Sequence, residues 1–185
     1  LGIMQYTQDY DEKMPNYSFA YSGDIMWQPV IQPYVKSTQL FSCPSNTMTD
    51  NAEGTYSPGP IRAHYVGNIL GCGGDPWSSP STCQGVFGGR NSGGVALSDI
   101  QNPATTLAVM ENVTGTMIYP DYSWSVGRLF VGHLSTSNYL FADGHVKALK
   151  PQATIAGGVN MWTRNNSTAV SAELQAMINN AVGRL

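Results

Sequence analysis

The segment NYLFADGHVKAL, residues 138–149, constrains the fold most, because Asp143 and Gly144 separate two short runs that alternate apolar and polar side chains. Asp-Gly between such runs predicts a β-hairpin with a two-residue type I′ turn, in which both central residues adopt positive φ. The alternation assigns Tyr139 and Phe141 to the core face of the hairpin. The pairs expected on that face are Phe141 with Val146 and Tyr139 with Ala148.

Three other segments have the composition of strands. GRLFVGH at 127–133 predicts the strand that precedes the hairpin, and TTLAVMENV at 105–113 predicts a buried strand. LFSCPS at 40–45 predicts a brief strand that ends in a turn. Residues 47–94 are rich in Gly, Pro, Ser, Asn and Asp, and a long irregular region of this kind usually carries function or contact surface.

Helical periodicity marks both ends of the chain. Residues 1–14 place apolar side chains at three- and four-residue steps before Pro15, which predicts the last turns of a helix. Residues 167–185 predict a C-terminal amphipathic helix that packs on the body or on a neighbouring subunit. Its apolar stripe consists of Val170, Leu174, Met177, Ile178, Ala181 and Leu185. The order of helix, irregular region, antiparallel strands and helix predicts the α+β class.

The composition excludes some function classes. Charged residues make up 11% of the chain, less than half of the roughly 25% in an average soluble protein. The net charge is -3 and the nine Lys and Arg are scattered singly, so the sequence lacks the basic field that gathers nucleic acid. No apolar run approaches the roughly 18 residues of a membrane span. We therefore expect neither nucleic-acid binding nor a membrane span within this sequence.

The cysteines are Cys43, Cys72 and Cys83, and the last two stand at the ends of the loop CGGDPWSSPSTC. A disulfide between Cys72 and Cys83 would tie together a loop that cannot order itself by burial, which fits an oxidising, extracytoplasmic compartment. Two unpaired thiols in a reduced protein are the alternative, because an odd cysteine count weakens the argument for a disulfide framework. Cys43 is then either buried and free or bonded to a cysteine that precedes Leu1.

A catalytic role for His133 and Asp143 would require a Ser or Cys nucleophile on the other side of the imidazole. Ser135 and Ser137 are nearby but in a flexible turn, and the sequence contains no nucleophile elbow. We therefore expect a structural role for this pair and no enzymatic activity. Asp143 is predicted to form the turn, and His133 to donate a hydrogen bond that fixes the preceding strand to it.

The spacing of the cysteines and histidines does not match a metal-binding motif. Cys72 and Cys83 are too far apart for a C-x₂₋₄-C zinc pair, and no H-x₃₋₅-H pattern occurs, so we predict no transition-metal site. Calcium is the alternative, because carboxylates in Gly- or Pro-rich loops offer oxygen ligands, although no EF-hand pattern is present. The loop carboxylates in question are Asp75, Asp121 and Asp143.

Several segments together resemble one bacterial family. The array of His133, Asp143 and Gly144 resembles the C-terminal signature of prepilin-type proteins named for a processing-associated H-X9-DG domain. LGIMQYTQDYDEKMP resembles the end of that family's long N-terminal helix, and LFSCPS resembles its recurring Phe-x-Cys-Pro-Ser element. DIQNPATTLAVMENV resembles the segment before its final hairpin. These matches span most of residues 1–150 and together they are specific.

The resemblance implies a pilin-like head at residues 1–150, in which the end of an N-terminal helix, residues 1–14, packs on a twisted antiparallel sheet. Residues 151–185 would form a C-terminal extension. Family members resemble type IV pilins and type II secretion pseudopilins, which are trimmed by a prepilin peptidase and anchored in the inner membrane by a hydrophobic N-terminal helix before assembly. That helix is missing from this sequence, so membrane contact is implied only through it. The implied location is the bacterial cell surface.

Three functional hypotheses follow from the residues and the resemblance. The first is a non-catalytic structural subunit of an extracellular pilus-like or pseudopilus filament, whose partners are copies of itself and other pilins or pseudopilins. The second is a surface or tip binding module that recognises glycan or a secreted substrate through residues 54–94. Tyr56 and Trp77 are its candidate recognition residues, with local packing around the disulfide loop as the alternative. The third is a hydrolase that uses His133 and Asp143.

Overall fold

The structure, a computed structural model, describes residues 1–19, 25–47, 64–71, 83–89, 93–113, 120 and 123–183. Within these ranges it contains three α-helices and a four-stranded antiparallel sheet, so the predicted α+β class is confirmed. The helices are Gly2–Asp9 (α1), Trp27–Val35 (α2) and Ala172–Gly183 (α3). The strands are Ser18–Phe19 (β1), Ile25–Met26 (β2), Tyr65–Gly67 (β3), Leu107–Glu111 (β4), Ser137–Phe141 (β5) and Val146–Leu149 (β6).

Strand β4 occupies the interior of the main sheet. The strand order is β3-β4-β5-β6, and β1 and β2 pair separately with each other. Every residue of β4 is buried, as its composition predicts. Its first four residues form an apolar run, which is typical of a strand that is covered on both faces, and elements of the chain pack on each face of this sheet.

Helices α1 and α2 cover one face of the sheet. Ile3 of α1 and Trp27 and Ile31 of α2 belong to the same buried cluster as Val109 of β4. Val109 pairs with Leu140 of β5, and directly paired residues point to the same face. This face is therefore formed mainly by the N-terminal 35 residues and the centre of the sheet.

Helix α3 covers the opposite face. Its buried residues, all predicted from the apolar stripe, are Leu174, Met177, Ile178 and Ala181. They cluster with Met110 and Tyr139, a directly paired couple on β4 and β5. Trp162 is fully buried and packs edge-on against Tyr139, with ring centroids 6.4 Å apart. The helix therefore packs on the body of its own chain; Leu185 lies outside the described residues.

The predicted hairpin is present, but its turn differs from the prediction. The N–H of Phe141 donates to the carbonyl of His145, so that residues 142–144 form a three-residue loop. In this loop Gly144 has a φ of +95° and Asp143 does not adopt positive φ. The two-residue type I′ turn was therefore wrong, and the hairpin uses the three-residue alternative with one left-handed glycine. The observed pairs are Leu140 with Val146, Tyr139 with Lys147 and Asn138 with Ala148.

The shift in pairing makes β6 an exposed edge strand. Tyr139 and Phe141 are buried, as predicted. Val146, which was predicted to face the core opposite Phe141, is instead 63% exposed. In the part of the chain that the structure describes, β6 pairs only with β5.

Helix α1 is shorter than the sequence predicted. It ends at Asp9 and not at residue 14, and Asp11 and Glu12 beyond it adopt positive φ, which an α-helix does not contain. Met14 is nevertheless buried, so its apolar character reflects core packing outside a helix. At 8, 9 and 12 residues, the helices in the described ranges fall short of the length and apolarity that cross a bilayer.

Two segments that were predicted to be strands do not form strands. LFSCPS begins inside a 3₁₀ turn at Thr38–Phe41 and continues in an extended conformation at Ser42. GRLFVGH forms no regular strand, but it contributes to isolated bridges between Leu129 and Asn112 and between His133 and Thr136. Both segments nevertheless place residues beside β4, since Phe130 donates its N–H to the carbonyl of Glu111 and Cys43 Sγ lies within 4.8 Å of a Glu111 carboxylate oxygen.

The positive φ of Gly144 yields a stability prediction. Gly144→Val should lower the free energy of unfolding by about 1–3 kcal/mol, because a β-branched residue resists this backbone conformation. Urea unfolding of the purified protein measures the change. Gly183→Val is the matched control, because Gly183 has no positive φ and a Cβ there meets no atom within 4 Å. Equal effects of the two substitutions would contradict the turn assignment.

Candidate functional site

Glu111 places a carboxylate at the buried end of strand β4. The side chain has no solvent exposure, and four apolar residues precede it in the strand. Its Oε2 accepts a hydrogen bond of 2.7 Å from the backbone N–H of Asn138, and its Oε1 lies 2.9 Å from Nε2 of His133. A buried carboxylate is costly unless it is hydrogen-bonded or paired with a cation, and both oxygens are engaged here.

His133 reaches Glu111 from a tight turn. The N–H of His133 and the carbonyl of Thr136 bond to each other, as do the N–H of Thr136 and the carbonyl of His133, while Leu134 and Ser135 between them adopt positive φ. The edge of the Phe130 ring packs against the imidazole at 5.3 Å between centroids. The His133 side chain is 27% exposed, so the site is open to solvent on this side.

Cys43 approaches the same point from the loop after the Thr38–Phe41 turn. Its Sγ lies 3.5 Å from Nε2 of His133. Its backbone N–H donates to Nδ1 of His64 over 2.9 Å, which fixes the loop against the residue before β3. Burial raises the pKa of the Cys43 thiol, and the nearby Glu111 carboxylate adds to this effect. The thiol on its own is therefore protonated at neutral pH and is not an activated nucleophile.

Tyr65 adds a phenol beside this cluster. It pairs directly with Glu111 across β3 and β4. Burial raises the pKa of Tyr65, and the Glu111 carboxylate and Cys43 contribute in the same direction. The phenol therefore stays protonated and can donate a hydrogen bond to these groups.

The three donor atoms converge on one point. Cys43 Sγ, Glu111 Oε1 and His133 Nε2 all lie within 4.8 Å of one another, and the three residues can hold a metal ion. Sγ and Oε1 both approach the same ring nitrogen. In a catalytic triad, the nucleophile and the acid bond to opposite nitrogens of the histidine ring. The arrangement therefore does not fit a Cys-His-Glu hydrolase. Its donor atoms instead converge on one point, as metal ligands do.

His133 and Asp143, which the sequence singled out together, have different partners. His133 bonds to Glu111 and Cys43, whereas Oδ1 of Asp143 accepts hydrogen bonds from the backbone N–H and ring Nδ1 of His145, the latter at 2.7 Å. The predicted hydrogen bond from His133 to the turn is therefore wrong. Burial is the largest single influence and raises the pKa of the Asp143 carboxyl, but the hydrogen bonds from His145 and its charge together lower that pKa below its usual value. Asp143 and Gly144 do form the turn.

Other predicted site residues lie in ranges that the structure does not describe. The candidate recognition residues Tyr56 and Trp77 and the loop aspartates Asp75 and Asp121 are among them. Cys83 is buried, but Cys72 lies outside the described residues, so the Cys72 to Cys83 disulfide stays a prediction. Cys43 is a buried free thiol, which was one of its two predicted states.

Glu111 and the position of Cys43 beside it were not predicted from the sequence. A single acidic residue at the end of an otherwise apolar buried strand was the available signal, because such a residue needs a partner inside the protein. The spacing rules for zinc ligands do not point to this cluster, because they describe ligands close together in the sequence, whereas these three residues come from distant segments.

An apolar groove lies near this cluster, between helices α1 and α2 and the β5–β6 hairpin. Its volume is about 350 Å³, and Tyr65 lies in its wall as well as beside Glu111. Leu40 and Val146 at its rim are 61% and 63% exposed. Apolar side chains that line it include Ile3, Trp27, Ile31, Leu40, Leu140 and Val146.

Comparison with known proteins gives no family for the chain. It matches no protein-family model, and searches of curated proteins and of solved structures find no similar protein.

The buried carboxylate yields a second stability prediction. In the presence of a chelator, Glu111→Met should lower the free energy of unfolding by about 1–3 kcal/mol, because the N–H of Asn138 loses its acceptor. Glu111→Gln should cost less, since its amide oxygen can still accept from Asn138 while His133 changes tautomer. Denaturant unfolding measures both.

Glu12→Met is the control for this prediction, because Glu12 is exposed. Its effect should stay within about 0.5 kcal/mol. A Glu111→Met protein as stable as the wild type would show that the hydrogen bonds to Glu111 do not stabilise the fold.

Proposed function

We propose that the protein is a non-catalytic structural subunit of an extracellular filament of the pilus or secretion-pseudopilus kind. Copies of the same chain, together with other pilins or pseudopilins, would be its partners. The observation that carries the proposal is the apolar groove, with the exposed Leu40 and Val146 at its rim. An exposed apolar surface of this kind is typical of a contact surface between proteins.

The groove is suited to a second copy of the chain. It is bounded on one side by helices α1 and α2 and on the other by the β5–β6 hairpin, and the side chains that line it carry no charge. An apolar element of a neighbouring subunit can enter it without burying an unpaired charge. If the groove receives a different surface of an identical subunit and the contact does not close into a ring, the repeated contact propagates as a filament.

The exposed edge of β6 is protected against uncontrolled pairing. Lys147 lies within the strand and Lys150 and Pro151 follow it directly. Lysine and proline at an edge disfavour addition of a further strand. This directs self-association toward the groove and away from sheet extension.

The low charge of the chain supports the same proposal. Only 11% of the residues are charged and the net charge is -3, so repeated copies repel one another weakly. The resemblance of His133, Asp143 and Gly144 and of their flanking segments to the H-X9-DG prepilin-type proteins supports a pilin-like head and a location on the bacterial cell surface. Anchoring before assembly would depend on the hydrophobic helix of that family.

Self-association through the groove is testable with charge substitutions. The double variant Leu40→Lys and Val146→Lys should weaken association at least about tenfold, equal to about 1.4 kcal/mol, because two ammonium groups would have to be desolvated. Sedimentation velocity over a range of concentrations measures the association. In the cells that produce the protein, the same variant should reduce surface filaments labelled by an antibody and counted by electron microscopy.

Leu134→Lys is the matched control, because Leu134 is 96% exposed and does not line the groove. It should leave association and filament number unchanged. The absence of the wild-type protein from every surface filament would contradict the proposal. Equal losses of association and of filaments in the control and the double variant would also contradict it.

A further inference from the structure

We infer that Cys43, Glu111 and His133 bind a single zinc-class divalent transition-metal ion. The ion would lie between Cys43 Sγ, Glu111 Oε1 and His133 Nε2, with a water molecule at the fourth position. The inference is independent of the filament proposal, because it depends only on the three donor atoms and their surroundings.

One donor spacing already matches tetrahedral coordination. Zn–S bonds of about 2.3 Å and Zn–N bonds of about 2.0–2.1 Å place sulfur and nitrogen roughly 3.5–3.6 Å apart around a tetrahedral ion. The distance between Cys43 Sγ and His133 Nε2 is 3.5 Å. The 2.9 Å between His133 Nε2 and Glu111 Oε1 would open by about 0.5 Å to the separation that a zinc ion requires. All three donor atoms lie within 4.8 Å of one another.

The charge balance also favours a divalent ion. The Glu111 carboxylate is buried with no exposure, and the described Lys and Arg side chains form no ion pair with it. When the ion binds, the Cys43 thiol releases its proton to solvent as the metal–sulfur bond forms. One divalent cation, one thiolate, one carboxylate and a neutral imidazole sum to zero. The ion thereby neutralises a site that burial otherwise penalises.

The surrounding groups hold the ligands in place, as an outer shell does at metal sites. The backbone N–H of Asn138 holds the second oxygen of Glu111. Nδ1 of His64 accepts from the N–H of Cys43 and thereby fixes the loop that carries the sulfur. The Tyr65 phenol lies next to both Glu111 and Cys43.

The donor set selects the class of metal. Calcium and magnesium take oxygen ligands, so a site that offers one thiol and one imidazole discriminates against both. Sulfur and nitrogen donors with one carboxylate suit zinc, and they also accept cobalt(II) as a spectroscopic substitute. Three protein ligands and an open side at His133, which is 27% exposed, leave a position for water. The ion joins a loop, a strand and a turn that are far apart in the sequence.

Metal titration of the purified, tag-free chain tests the inference. Isothermal titration with Zn²⁺ should give one site per chain, and Zn²⁺ should raise the melting temperature. Loss of an outer-shell partner alone costs about 10–100-fold in metal affinity, so Cys43→Ser and His133→Asn should each cost at least about 100-fold. His145→Asn is the matched control, because His145 is exposed and bonds to Asp143 instead. Its zinc affinity should equal that of the wild type.

Cobalt(II) provides a readout that does not depend on the stability of the variants. The wild-type complex should show thiolate-to-cobalt charge-transfer absorption together with the intense visible bands of tetrahedral coordination, and Cys43→Ser should lose the charge-transfer band. Wild-type protein that binds neither ion would overturn the inference. Binding of cobalt without the thiolate band would overturn it as well. So would equal zinc affinity in the wild type, Cys43→Ser and His133→Asn.

Discussion

The fold depends on the accommodation of one carboxylate, Glu111, at the buried end of an apolar strand. A carboxylate without solvent exposure must be satisfied by donors inside the protein, and this requirement fixes three other segments. The N–H of Asn138 ties the start of β5 to β4, and the imidazole of His133 ties down the turn before β5. Cys43 lies against the same imidazole. Loop, strand and turn thus meet at a single buried side chain.

The proposed assembly surface and the proposed metal site share a structural element. The 3₁₀ turn at Thr38–Phe41 presents Leu40 at the rim of the apolar groove and leads directly into Cys43. Tyr65 lies in the wall of that groove and beside Glu111. An ion held by Cys43 would therefore fix the turn that forms part of the proposed assembly surface.

The sequence predicted the elements whose signals are local. Residues 139 and 141 alternate toward the core, the first four residues of β4 are an apolar run, and the stripe of α3 has helical spacing, and each of these was confirmed. The type of hairpin turn was wrong, because Asp-Gly is compatible with loops of two and of three residues. The Glu111 cluster could not be predicted from spacing, since its members meet only through long-range pairing of β3, β4 and β5.

A crystal structure of the zinc-soaked protein, with anomalous data collected on both sides of the zinc absorption edge, tests whether the Glu111 cluster binds zinc. We expect one anomalous peak between Cys43 Sγ, Glu111 Oε1 and His133 Nε2, about 2.3 Å from the sulfur and about 2.0–2.2 Å from the nitrogen and oxygen. The absence of a peak at this point, with His133 still bonded directly to Glu111, would contradict it. The three residues would then form only a hydrogen-bonded cluster that satisfies a buried carboxylate.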